Sequence, residues 1–187
     1  MKKIVSLVLT AAMLLAILAG CASTGNTDST TSATGESTEP VASYTGTLEE
    51  LIEAVYGIHS VEFGVASIPV DLTDTSEDGL WALKSYTGLD NADMITEAVA
   101  SEAMIGAIAY SMVVVRVADP ANAKTVAEAM KNNIDQRKWV CVEADDLLVA
   151  GRGDVVMLVM ISTENGTAQP FVDAFSQVVG GTDFVLE

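Results

Sequence analysis

Two apolar runs rich in β-branched residues constrain this chain more than any other feature: Tyr110-Ser111-Met112-Val113-Val114-Val115-Arg116-Val117 and Val155-Val156-Met157-Leu158-Val159-Met160-Ile161. Both have strand length and fall far short of the ~20 apolar residues that span a bilayer. Each follows a second stretch of strand character, Met94 to Met104 and Trp139 to Val149. Gly106 and the Gly151-Arg152-Gly153-Asp154 sequence supply the intervening turns. Each run also precedes an amphipathic helix. After the first, Asp119-Pro120 offers an N-cap and a proline at the first helical position, and Ala123, Val126, Ala127, Met130 and Ile134 form a stripe. After the second, a helix over Gln169 to Val179 presents Phe171, Ala174, Phe175 and Val178 and stops at Gly180-Gly181.

Two helices are expected ahead of these units. Thr47-Leu48-Glu49-Glu50 has capping-box spacing, and Leu48, Leu51, Ile52, Val55 and Tyr56 make one stripe that Gly57 is expected to end. A second, short helix runs from Glu77 to Tyr86 and stops at Gly88. Between them, Val61 to Leu72 is an extended or edge segment, because Pro69 cannot donate in a central strand. The expected fold class is therefore α+β. An antiparallel sheet of about four strands carries its helices on one face, with strand-strand-helix arranged twice after two N-terminal helices. The similarity of Ala127-Glu128-Ala129-Met130 to Val172-Asp173-Ala174-Phe175 raises the question of a duplication.

The N-terminus reads as an address. Lys2 and Lys3 precede an uncharged, Leu-, Val- and Ala-rich stretch that ends in Leu18-Ala19-Gly20-Cys21. Residues 1–20 have the layout of a signal peptide, and the last four residues resemble the lipobox of bacterial lipoproteins. Cleavage between Gly20 and Cys21 is expected, with diacylglycerol on the Cys21 sulfur as the only attached group. Residues 21–46 hold few bulky apolar side chains and should form a Ser/Thr/Gly-rich tether. Residues 47–187 then make a single domain on the outer face of the cytoplasmic membrane, held to the lipid bilayer by Cys21.

Nine basic and 26 acidic residues are present; loss of Lys2 and Lys3 leaves seven against 26, a formal charge of −19. That surface repels phosphate backbones, so nucleic acid is not an expected partner. Cys141 is the only other cysteine. If Cys21 is lipidated no internal disulfide can form, and Cys141, inside Trp139-Val140-Cys141-Val142, is expected as a buried, inert thiol.

Chemical motifs are sparse. The single histidine, His59, follows the first helix without a nucleophile motif, so a solvent-facing cap is expected. Asp74-Thr75-Ser76-Glu77-Asp78-Gly79 opens like an EF-hand loop, making Asp74, Ser76 and Asp78 candidate calcium ligands. The twelfth position is Ser85, however, and capping of the second helix accounts for the same residues. Arg152-Gly153-Asp154 matches a tripeptide read by adhesion receptors, although turn chemistry explains it. Asp145-Asp146 are sequence neighbours that should point apart rather than face each other across a glycosidase cleft.

Val115-Arg116-Val117, the helix through Val126-Ala127-Glu128-Ala129-Met130, Asp135-Gln136-Arg137 and Gly153-Asp154-Val155-Val156 together resemble the domain of unknown function 4358 family, uncharacterised lipoproteins of Gram-positive anaerobes. The resemblance covers about Leu48 to Phe175. Trp139 to Asp146 departs from the family pattern, and the family implies no catalytic residue. With no catalytic constellation in the chain, a binding or interaction module with an unidentified protein or small-molecule partner is expected. A calcium-dependent or carboxylate-based envelope enzyme is the alternative.

Overall fold

The computed structural model describes residues 44–187. The expected signal segment, Cys21 and most of the tether lie outside the described residues. The domain contains α1 (Leu48–Ile58), β1 (Val65–Pro69), α2 (Glu77–Thr87), β2 (Ile95–Ala103) and β3 (Tyr110–Val117). A 3-10 turn (Pro120–Asn122), α3 (Ala123–Asn133), β4 (Asp146–Arg152), β5 (Val155–Ile161), α4 (Gln169–Val179) and β6 (Phe184–Leu186) complete it. One antiparallel six-stranded sheet runs in the order β1-β2-β3-β5-β4-β6. The fold class is α+β, as expected.

The four central strands are the four expected ones. Pro69 indeed sits on the edge, where β1 pairs Val65 with Ala103 and Pro69 with Val99. The sixth strand, β6, was not anticipated. It is only three residues long, and its pairing of Phe184 with Gly151 is a tertiary choice. The ring of Phe184 also explains Gly151: a Cβ there would lie 2.2 Å from the ring.

The helices lie on both faces of the sheet, not one. Leu48, Leu51 and Val55 of α1 and Phe171 and Phe175 of α4 pack with Met112, Val114, Met157 and Val159. Leu83 of α2 and Val126, Ala127 and Met130 of α3 pack with Val113, Val115, Val149, Val156, Leu158 and Met160. The reason is in the strands. All seven residues of β5 are buried, so both pleat faces need cover. Leaving the second face open would expose six aliphatic side chains, a loss of roughly 10 kcal/mol at 1.5–3 kcal/mol each, comparable to the whole stability of a domain.

Topology leads to the same arrangement. β3 and β4 both run antiparallel to β5 and hence parallel to each other, and β5 and β6 are likewise parallel. The α3 connection crosses β5 and the α4 connection crosses β4, stepping the same way along the sheet from strands of opposite direction. A crossover of one hand then places α3 and α4 on opposite faces. This also bears on the duplication: a two-fold axis exchanging the hairpins would keep both helices on one face.

Local signals explain most boundaries. Thr47 Oγ1 accepts from the Glu50 amide at 3.1 Å and the Glu50 carboxylate accepts from the Thr47 amide at 3.0 Å, the full capping box. Gly88 and Gly180 end α2 and α4 in the left-handed region at φ 76°. Gly57 does not end α1. The helix runs through it to Ile58, and His59 is the C-cap with extended backbone. Asp119 caps the 3-10 turn that leads into α3, accepting from the Ala121 amide.

Candidate functional site

Within the stretch of strand character from Trp139 to Val149 the strand β4 begins only at Asp146, and the residues ahead of it open onto the most site-like part of the molecule. Gln136 and Ala144 pinch the chain: the Ala144 amide donates to the Gln136 carbonyl at 3.0 Å, and Gln136 Nε2 donates to the Ala144 carbonyl at 2.9 Å. Residues 137–143 are thrown outward as a compact loop. Val140 is 97% exposed, and Cys141 is exposed rather than buried. β5, paired with β3 on one side and β4 on the other, offers the apolar run no edge.

Lys138 anchors this loop to the sheet. Its ammonium donates to the Ser85 carbonyl at 3.1 Å, to Ser111 Oγ at 3.2 Å and to the Glu102 carboxylate. Ser111 Oγ in turn donates to the same carboxylate at 2.8 Å. All three ammonium protons are thereby used. Tyr86 and Trp139 hold their ring centres 5.3 and 5.4 Å from the nitrogen. Burial pulls the Lys138 pKa down, opposed by the Glu102 charge. A serine beside a lysine suggests acyl chemistry, but Ser111 is fully buried in β3 and its proton is committed to Glu102. The cluster is a structural floor.

Above that floor, α2 and the segment after α3 enclose a cavity of about 370 Å3 lined by Trp81, Lys84, Ser85, Asn133, Asp135, Arg137 and Lys138. Trp81, Lys84 and Ser85 share a helix face by their spacing of three and four. The buried Leu83 turns the opposite side of α2 to the core and leaves Trp81 69% exposed. Of the seven basic residues outside the signal segment, three line this one cavity in a strongly acidic domain. Lys84 pairs with Asp90 at 2.6 Å and Arg137 pairs with Glu143, all four side chains at least half exposed. Such pairs are worth about 0–1 kcal/mol and yield readily to a ligand.

The sequence-derived candidates fall elsewhere. Asp74 Oδ1 accepts from the Ser76 amide at 2.9 Å, and Ser76 Oγ caps α2 by accepting from the Gly79 amide at 3.1 Å. Ser76 and Thr73 hold Asp74 and Asp71 below the usual carboxylate range, the Ser76 and Thr73 side chains contributing most. Asp78 lies in the first turn of the helix. Among the described residues, no three His, Cys, Asp or Glu side chains converge on one point.

His59 places its ring edge-on to Phe171, 4.5 Å between centres, and lines a separate cavity of about 320 Å3 with Ser60, Glu62 and Asn165. No hydroxyl or thiol is hydrogen-bonded to its ring among the described residues. Both charges of the Arg152-Gly153-Asp154 turn are engaged within the domain: Arg152 Nη1 donates to Asp183 at 2.8 Å, and Asp154 accepts from Arg116 at 2.9 Å. Asp145 and Asp146 diverge as expected, the first accepting from Thr163 and the second from the Ala168 amide.

Two clusters carried no sequence motif. Tyr56 Oη lies 2.7 Å from Ser101 Oγ and 2.8 Å from Tyr110 Oη, linking α1 to β2 and β3. Arg116 gathers Glu97, Asp154 and the carbonyls of Tyr44 and Gly46. A lone arginine within a valine-rich strand was the visible signal for the second. No helix among the described residues is long and apolar enough to cross a membrane. Comparison of the chain with protein-family models, with curated proteins and with solved structures finds no match.

Proposed function

We propose that this chain is a lipid-anchored extracytoplasmic binding protein that takes a small ligand in the cleft between α2 and the loop after α3. The observation that carries the reading is Trp81, 69% exposed beside Lys84 and Arg137 on a cavity of about 370 Å3. A large aromatic surface left in water costs free energy that a ligand recovers, and a few convergent polar groups orient that ligand. The Lys138 cluster keeps the floor of the cleft in place, so little ordering is required on binding. Arg116 fastens the Tyr44 and Gly46 carbonyls to the end of β3. Lys138 reaches Ser111 near the other end of the same strand.

Two measurements test the proposal. Cys21→Ser should abolish processing and membrane retention together; a normally trimmed, membrane-retained product would defeat the anchoring claim. Saturation-transfer NMR on the full mature chain, with a panel of sugars, amino acids and dipeptides, should give signals that Trp81→Ala abolishes. A panel without any Trp81-dependent signal would overturn the binding claim.

A further inference from the structure

Resting on the cleft reading, we infer that the ligand is a carboxylate-bearing saccharide, bound with its ring on Trp81 and its carboxylate between Lys84 and Arg137. Tryptophan offers a flat, amphipathic surface that matches the C–H face of a pyranose while leaving hydroxyls free at the edge. Ser85, Asn133 and Asp135 line the same cavity and supply both donors and acceptors for those hydroxyls. The cavity, at about 370 Å3, lies near the lower end of the roughly 300–1,000 Å3 of small-molecule sites, which suits one or two sugar rings rather than a polymer.

Charge selects the acidic sugar over a neutral one and over a polyanion. Lys84 and Arg137 are held only by exposed pairs with Asp90 and Glu143, so a carboxylate can replace either partner at little cost. A guanidinium then binds it through two parallel hydrogen bonds. Asp90, Glu143 and Asp135 stand close by and, with the acidic remainder of the domain, repel any ligand carrying several charges. One carboxylate inside the cleft exchanges one contact for another, whereas a chain of phosphates meets repulsion across a Debye length of about 8 Å.

The experiment is calorimetric titration of the full mature chain with glucuronate, N-acetylmuramate, glucose, N-acetylglucosamine and inorganic phosphate, repeated on Trp81→Ala, Arg137→Gln and Lys84→Gln. The three side chains are exposed, so the variants should fold normally, which circular dichroism checks. At least one acidic sugar should bind about tenfold more tightly than its neutral counterpart. Arg137→Gln or Lys84→Gln should erase that difference while neutral-sugar binding persists, and Trp81→Ala should weaken both classes. Equal binding of acidic and neutral sugars, or phosphate binding as tightly as glucuronate, would overturn the inference. Binding of amino acids or dipeptides alone, abolished by Trp81→Ala, would also overturn it while leaving the cleft reading intact. Absence of any Trp81-dependent ligand would remove both.

Discussion

The Arg116 guanidinium donates to the Asp154 carboxylate across 2.9 Å, tying the end of β3 to the β4–β5 turn. The same side chain donates to Glu97 on β2 at 3.2 Å and to the carbonyls of Tyr44 and Gly46 at 2.9 and 2.8 Å. One residue thus joins two strands and a hairpin turn to the segment that leads into α1. Methionine in its place would keep much of the packing but leave Asp154, 13% exposed, without its cation.

Arg116→Met should therefore destabilise the domain by about 3 kcal/mol, with Arg116→Lys intermediate because an ammonium lacks the fork. Urea unfolding measures the loss. Protease cleavage beside Tyr44 should accelerate at urea concentrations where the domain is still folded. Unchanged stability and unchanged cleavage would show that the clamp is idle.

The Lys138 cluster makes a prediction about pairs. Lys138→Met leaves the largely buried Glu102 carboxylate facing only Ser111, a cost of about 3 kcal/mol. Lys138→Met combined with Glu102→Gln removes the stranded charge and keeps an acceptor for Ser111. The double variant should recover at least about 1 kcal/mol relative to Lys138→Met alone. Additive losses would mean that the two charges do not act as a unit.

Alkaline stability should depend on the tyrosine cluster. Burial pushes the Tyr110 hydroxyl well above its ordinary range, and burial raises Tyr56 despite its bonds to Ser101 and Tyr110. A raised folded-state pKa means that the unfolded chain loses its proton first. Stability from these groups is complete below about pH 10 and declines as pH climbs from there towards the folded values. Lys138 works in the opposite sense, since its lowered pKa makes the unfolded chain the better proton binder in the alkaline range. Comparison with Tyr110→Phe isolates the tyrosine part. This variant should cost about 1 kcal/mol at neutral pH and flatten the decline above pH 10 in urea midpoints. Tyrosinate absorbance appearing for all four tyrosines before unfolding would refute the assignment.

Cys141 should react freely. Exposed on the pinched loop, it should be alkylated in the folded protein within about a factor of ten of its rate in the unfolded chain. A hundredfold protection would restore the buried thiol that its apolar neighbours suggest.

Where neighbouring residues decide structure the sequence was mostly sufficient, Gly57 within α1 being an exception. The capping box at Thr47, the proline after Asp119, the terminators Gly88 and Gly180, and the hairpins near Gly106 and Gly153 are local contests between backbone conformations. Acidity, the solitary histidine and the cysteine count also bounded the chemistry before any contact was known. The unbroken apolar run of β5 already carried the sign of a sheet buried on both faces. Which helix covered which face was a matter of crossover hand and strand direction, relations among segments far apart in the chain. The cleft was hidden for the same reason. Trp81 and Arg137 are 56 positions apart, a separation read from their numbers, and only the packing of α2 and α3 on one side of the sheet brings them to a common cavity. Trp139 to Val142 shows the limit most directly: four residues with strand propensity lie outside every strand, Val140 and Cys141 in solvent and Trp139 and Val142 half-buried against the core, and β5, paired on both sides, has no free edge to offer them.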